Sequence, residues 1–246
     1  MGTLFVVATP IGNLEDITLR ALKTLFAVDI IACEDTRRTG LLLDKLLTNF
    51  AANPEDKRKP RLISYYEQNE LQRIPEIVEL LRVGQNIALV SDAGTPLVSD
   101  PGFKLVRECI VQGIKVEALP GASSVLTALT VSGLPTDKFF FAGYPPHKPG
   151  HRLAFLDNLK KSQELVKSTV ILFEAPHKLL TTLGNLQAVF GDIEVVLCRE
   201  LTKIYEEVRR EKISESLIHF EKIAPKGEFV LLFNLNIKWE RNSFVS

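Results

Sequence analysis

The first half of the chain alternates short β-branched runs with amphipathic stretches, and this alternation most restricts what it can fold into. Strands joined by helical crossovers lie side by side in one direction, so the pattern predicts a mostly parallel sheet. The strand-like runs are residues 3–8, 29–33, 61–65, 86–91 and 115–119. Between the third and fourth, Leu71, Ile74, Val78 and Leu81 recur at helical spacing. Asn69 and Gln72 resemble a capping box at the start of that helix, and Gly84 suits the position just past its end. Residues 48–60 (TNFAANPEDKRKP) are polar, lack periodicity and read as a loop with its charges near the end.

A helix-like stretch over 122–131 is followed by SGLPTDKFFFAGYPPHKPGHR, where Gly and Pro gather around an aromatic strand, residues 139–141. A length of 246 residues accommodates two modest domains at roughly 100 to 200 residues each. The junction is placed near Pro135, giving an N-terminal α/β domain over 1–134 and a C-terminal one over 135–246. The second half reads as a strand at 169–173, a helix at 177–190, a strand at 194–198, a charged segment and a last strand at 229–235. Successive strands with fewer crossovers point there to a mixed sheet.

Composition removes several classes. Hydrophobic residues make up 46% and charged residues 24%, which suits a globular chain rather than a disordered or collagen-like one. No apolar run approaches the roughly 18 residues of a spanning helix, and the start lacks the basic flank of a signal peptide. The Met-Gly start is followed by Val6 where myristoylation wants Ser or Thr. A cytosolic protein without a membrane role is expected. Thirty basic and thirty acidic residues cancel, so any nucleic-acid affinity must come from a local patch or a dimer surface. Cys33, Cys109 and Cys198 stand singly in apolar surroundings and read as reduced core residues.

In an open α/β sheet, ligands bind beyond the carboxyl ends of the strands. Four post-strand loops are unusual: Thr9-Pro10-Ile11-Gly12-Asn13, Glu34-Asp35-Thr36-Arg37-Arg38, Asp92-Ala93-Gly94-Thr95-Pro96 and Pro120-Gly121-Ala122-Ser123-Ser124. Glycine lets backbone approach a ligand, proline fixes the turn, and amides beside hydroxyls grip a polar molecule of nucleoside size. No two glycines stand two apart, so there is neither a GxGxxG dinucleotide fingerprint nor a P-loop. His147 and His151 are separated by Pro149 and Gly150, which breaks the helix that would aim both at one metal, and no metal site is expected. Ser123-Ser124 lacks the GxSxG elbow of a hydrolase and suits helix capping. His177 near a helix start and the mixed-charge run 199–207 read either as solvated surface or as parts of the pocket.

Taken in order, the blocks VATPIGNLEDIT, IACEDTRRT, SDAGTPLVSDPG, LPGASSVLTAL with SGLPTDKFFFAGYPP, FEAPHKL, RELTKIYEEV and KGEFVL span nearly the whole chain. In these blocks the sequence resembles the ribosomal RNA small-subunit methyltransferase I group of the tetrapyrrole methylase superfamily. The resemblance implies a two-domain α/β class III methyltransferase fold that holds S-adenosylmethionine in the cleft between its domains. It also implies a homodimer that methylates the ribose 2′-oxygen of a cytidine in the decoding region of 16S ribosomal RNA within the small subunit. Carried over by position, Pro10 closes one side of the cofactor pocket, Gly94, Thr95, Pro96 and Val98 pass beneath it, and Ser123 and Ser124 bind its polar groups. The second domain supplies Phe173, Glu174 and Ala175, with Gly227 and Glu228. Cobalamin and sirohaem relatives carry an aspartate where Thr95 aligns, so either Asp92 or Thr95 does that aspartate's work.

For such a transfer Glu34, Asp35 and Lys203 are the candidate bases or orienting groups, and Arg37 is the candidate phosphate clamp. Arg37, Arg38, Lys57, Arg58, Lys59, Arg61, Lys148 and Arg152 form a discontinuous basic rim for RNA. Two other readings share parts of this pattern: a small-molecule methylase acting on a tetrapyrrole or diphthamide precursor, and a non-enzymatic ribosome-assembly module that binds RNA.

Overall fold

The computed structural model describes residues 1–50 and 59–237. The chain divides into two compact units, Met1–Ser123 and Ser124–Ser246.

In the first unit β1 (Thr3–Val7), β2 (Ile30–Cys33), β3 (Arg61–Ser64), β4 (Ile87–Val90) and β5 (Lys115–Leu119) form one sheet in the order β3-β2-β4-β1-β5. Every pairing in it is parallel. Every residue of β2 and β4 is buried, as expected of central strands covered on both faces. Alternate residues separate into two cores. Leu4, Ile30, Ile87 and Leu89 pack with α3 (Glu70–Arg82) and α4 (Phe103–Val111) through Ile77, Leu81 and Leu105. Val7, Ile31, Ala88 and Val90 face the other way, onto α1 (Leu19–Ala27) and α2 (Thr36–Phe50) through Leu22, Leu25, Leu43 and Leu46.

The expected strands are present, the first four trimmed by one or two residues and the fifth with the expected bounds. The helix expected from Leu71 to Leu81 is α3, although Leu71 itself is exposed. The expected capping box does not form. Asn69 turns its Oδ1 to the Tyr66 amide (2.8 Å) and its Nδ2 to the Ser64 carbonyl (3.1 Å), closing the turn before the helix instead. Gly84 does stand past the end of the helix at φ +95°. The loop expected over 48–60 begins later, because α2 continues through Phe50. Residues 51–58 of that expectation, including Lys57 and Arg58, lie outside the described residues.

In the second unit β6 (Phe139–Phe141), β7 (Thr169–Glu174), β8 (Glu194–Arg199), β9 (Glu207–Lys212) and β10 (Phe229–Phe233) form a sheet ordered β6-β7-β10-β8-β9. β6 and β7 pair in parallel and the other pairings are antiparallel, so the sheet is mixed. Because β10 runs against both of its neighbours, β7 and β8 point the same way as β6. α6 (Pro149–Leu165) carries the chain from β6 to β7, and α7 (Leu179–Phe190) carries it from β7 to β8. Both helices therefore begin on the rim where those strands end.

α5 (Ser124–Ser132) packs on β8, β9 and β10, and Arg210 of β9 donates to the carbonyls of Val131 and Ser132. The helix placed by sequence before the Pro135 junction thus sits in the second compact unit. The segment read only as charged folds as β9 and α8 (Ile213–Lys222). β9 is an edge strand whose charges are paired across and along the sheet, as in Arg199–Glu207 (3.1 Å) and Arg209–Glu211 (2.7 Å).

Candidate functional site

Because the five strands of the first sheet are parallel, the loops after β1, β2, β4 and β5 emerge on one rim. Backbone and side-chain bonds tie three of them together. Thr9 and Gly94 exchange two backbone hydrogen bonds (2.9 and 3.1 Å), and the Thr95 hydroxyl donates to the Ala122 carbonyl (3.0 Å). Two glycines permit this closeness. Gly94 has φ +79°, and a Cβ there would stand 3.1 Å from the Ile11 Cγ2; a Cβ on Gly121 would stand 2.9 Å from that of Ala8. Pro10 is buried beside this junction.

The loop from Ser91 to Gly102 is held in an uncommon conformation. Leu97 and Ser99 have φ of +72° and +66°, and Gly102 turns at +135° against the side chains of Leu89 and Leu97. Backbone of this kind persists only where surrounding packing enforces it. Pro96 is buried, Val98 is exposed, and the return of the loop brings Asp100 back to the Ser91 hydroxyl.

Four carboxylates stand on this rim in contrasting surroundings. Asp35 precedes α2 and accepts from the Arg37 amide (2.9 Å), while the Arg37 guanidinium grips it through Nε (3.2 Å) and Nη2 (3.0 Å). These bonds hold the Asp35 carboxyl at about 2. Glu34, one residue earlier, is pushed up from 4.5 to about 7 by burial and by the negative charges of Asp100 and Asp92, with Arg38 opposing. Its Oε1 is buried without a hydrogen-bond partner. Asp92 Oδ2 accepts from Arg38 (2.8 Å), whereas its Oδ1 is buried and unpartnered, as is the Thr9 hydroxyl. Burial also raises Asp100. Sequence reading passed over Asp100 and the Arg38–Asp92 pair; Asp100 belongs to SDPG, whose Pro-Gly invites a reading as simple turn.

Of the sequence candidates, Glu34, Asp35, Arg37, Asp92, Gly94, Thr95, Pro96, Val98, Pro10 and Ser123 all belong to the first unit. Ser124 opens α5 in the second. Arg37 has its planar fork occupied by Asp35, and Lys59 is paired with Asp44.

In the second unit, Phe173 stands one residue before the end of β7 with its ring edge-on to Phe141 (4.8 Å) and Tyr144 (5.4 Å). The buried Glu174 carboxylate is occupied internally, by the Ala175 amide (2.8 Å) and the Thr182 hydroxyl. Lys203 lies between Glu200 (3.0 Å) and Glu228 (2.9 Å). Burial pulls its ammonium down, but the hydrogen bonds and charges of Glu228 and Glu200 outweigh that and leave it raised, which favours a cation over a base. Glu200 and Thr202 adopt positive φ, and Gly227 (φ +85°) leaves the space that the Glu200 side chain fills. Arg152, expected on an exposed rim, is buried, while Lys148 is exposed.

Residues 3–216 match the family described as Tetrapyrrole (Corrin/Porphyrin) Methylases. The chain is 46% identical over 234 residues to a Thermotoga maritima protein named ribosomal RNA small subunit methyltransferase I, covering 95% of this chain and 99% of that one. Among solved structures, diphthine synthase superposes with a TM-score of 0.70 at 16% identity, covering 95% of this chain and 90% of that one. Uroporphyrin-III C-methyl transferase from Thermus thermophilus, complexed with S-adenosyl homocysteine, gives a TM-score of 0.62 at 15% identity, covering 96% and 99%.

Proposed function

Since the chain belongs to the tetrapyrrole methylase family, we propose that it methylates small-subunit ribosomal RNA with S-adenosylmethionine as donor. The observation carrying this reading is the 46% identity to the Thermotoga maritima protein across 95% of this chain and 99% of that one. The finer reading is transfer to the ribose 2′-oxygen of a cytidine in the decoding region of 16S ribosomal RNA, by a cytosolic homodimer acting on the small subunit. No helix among the described residues is long and apolar enough to cross a membrane.

The first rim suits this cofactor. Asp92 Oδ1 and the Thr9 hydroxyl are buried without partners, which favours a ligand rich in hydroxyl and amine donors. The concentration of carboxylates suits a cationic one. The cofactor contacts proposed in the first unit are Pro10, Asp92, Gly94, Thr95, Pro96, Val98 and Ser123. Those proposed in the second are Ser124, Phe173, Glu174, Ala175, Gly227 and Glu228. Thr95 is already bonded to Ala122, which favours Asp92 for the polar role that relatives give to an aspartate.

When bound, S-adenosylmethionine supplies an electrophilic methyl group on a sulfonium. A neutral ribose hydroxyl is a weak nucleophile, and a base with proton affinity near the working pH is the most effective one. Glu34 has that affinity and an unpartnered oxygen, whereas Asp35 is held as a carboxylate and Lys203 as a cation. Glu34 is therefore the proposed proton acceptor. Asp35 orients Arg37, and Lys203 holds Glu200 and Glu228 in place. Positioning supplies most of the remaining acceleration.

The test is transfer of labelled methyl from S-adenosylmethionine to purified small subunits lacking their native methylation, followed by nucleoside analysis. Label on a cytidine ribose is expected. Cofactor binding without label in any RNA would turn the reading to a small-molecule methylase; no cofactor binding would leave an assembly module.

A further inference from the structure

The second unit carries a cationic site that the methyl-transfer chemistry does not use. α6 and α7 both start on the rim where β6 and β7 end, and contact between Lys178 at the head of α7 and the His147 ring joins the two starts. The opening amides of a helix find no partner within it and carry partial positive charge. The first turn of α6 is not capped by a side chain: Lys148 before it makes no capping bond, and Pro149 stands at its first position. α7 is entered instead through a 3-10 turn, Pro176–Lys178, whose Pro176 carbonyl accepts from the Leu179 amide, so there the cationic group is the Lys178 side chain. An ammonium carries three N–H donors, and the contact with a His147 ring nitrogen occupies one of them, so Lys178 keeps donors for an anion.

Arg152 is the independent sign of a ligand. It is 6% exposed, its Nε is buried without a hydrogen-bond partner, and it has no carboxylate partner among the described residues. It occupies the fourth position of α6, and helical side chains lean toward their N-terminus, so it leans toward the same end as Lys148. A guanidinium nitrogen buried without a partner costs free energy that an anion accepting from it would offset.

We propose that the paired starts of α6 and α7 bind a backbone phosphate of the RNA substrate, held by Arg152, Lys148, Lys178, His147 and the amides of Gly150 and His151. The assignment to RNA rests on the function proposed above; the anion site rests on the geometry alone. Phosphodiesters carry the charge and acceptor oxygens that helix starts and arginine forks match.

Two measurements on the full chain separate these claims. In the first, inorganic phosphate is titrated into ¹⁵N-labelled protein. The amides of Gly150 and His151 are expected to shift in the wild type and to respond much less in Lys178→Gln, an easily tolerated change at a partly exposed position. Unmoved amides in the wild type overturn the site. In the second, binding to small subunits is followed against salt. Lys178→Gln is expected to weaken binding about tenfold and to lower the salt slope by about 0.7 to 0.9, the loss of one phosphate contact, with S-adenosylmethionine affinity unchanged. An unchanged slope overturns the RNA assignment of the site. A wild-type chain that answers to phosphate yet ignores small subunits retains the anion site and rejects both the RNA assignment and the function it rests on.

Discussion

Glu34 and Asp35 are consecutive residues at the end of one strand, and the fold drives their carboxyls in opposite directions, to about 7 and to about 2. Arg37 bonds Asp35 through its backbone and its guanidinium, while Glu34 is buried among Asp92 and Asp100 with one oxygen unpartnered. Carboxylates pushed apart in this way take different chemical roles.

Glu34→Gln is expected to lower kcat by roughly 10² to 10⁴. In the wild type, kcat/KM should rise with pH through about 7 as Glu34 loses its proton, and the variant should lose that limb. Stability runs the other way. The folded state keeps a proton that the unfolded chain releases near 4.5, so this group costs stability as pH rises from 4.5 through about 7. Glu34→Gln should therefore melt roughly 2 to 4 °C above the wild type at pH 8 and at the same temperature at pH 4. A pH-independent difference in melting would remove the raised carboxyl from the account.

Asp35→Asn keeps an oxygen for the Arg37 amide and loses the ion pair. Turnover within about tenfold of wild type is expected, since general-base loss costs roughly 10² or more. The Asp35 carboxyl is depressed, so its contribution to stability is present above pH 4 and lost as pH falls toward 2. Acid unfolding of the variant should begin at a higher pH than that of the wild type, as followed by circular dichroism.

Gly121→Ala would place a methyl 2.9 Å from the Ala8 Cβ and force the loops after β1 and β5 apart. Overpacking of this kind costs about 1 to 3 kcal/mol. A lowered denaturation midpoint and weaker S-adenosylmethionine binding by calorimetry are expected together; weaker binding at unchanged stability would mean that the loops separate locally.

Cys33, Cys109 and Cys198 are buried, and burial pushes Cys109 to about 11 and Cys198 to about 12. A thiol-specific reagent at pH 8 should label none of the three in the folded chain and all three in denaturant. Rapid labelling of the native protein at any one of them would show that its surroundings open.

The parallel sheet was legible because β2 and β4, buried on both faces, must be continuous apolar runs, and such runs stand out. β9 did not stand out: it lies at an edge, reads EVRREK, and is held by charge pairs with Glu207, Glu211 and Arg199 that resemble a solvated helix face in one dimension. Asn69 was misread because its side chain has two uses, and the turn before α3 claimed it. The loops of the site were visible through their Gly and Pro residues. The choice between Glu34 and Asp35 was not, because it depends on burial and on Asp92 and Asp100, which the neighbouring strand β4 and the return of the loop after it bring near, as well as on Arg38 one turn further along α2.

The bond pair between Thr9 and Gly94 also governs the order in which the protein can be made. Thr9 leaves the synthetic machinery early and has no partner until Gly94 follows, and the Thr95–Ala122 link waits longer still. At ~5 to 20 residues per second, the rim of the first unit therefore closes only after several seconds of elongation. A nascent chain stopped before Ala122 contains all five strands of the first sheet, β1 to β5, yet lacks the Thr95–Ala122 link that ties the loop after β5 into the rim.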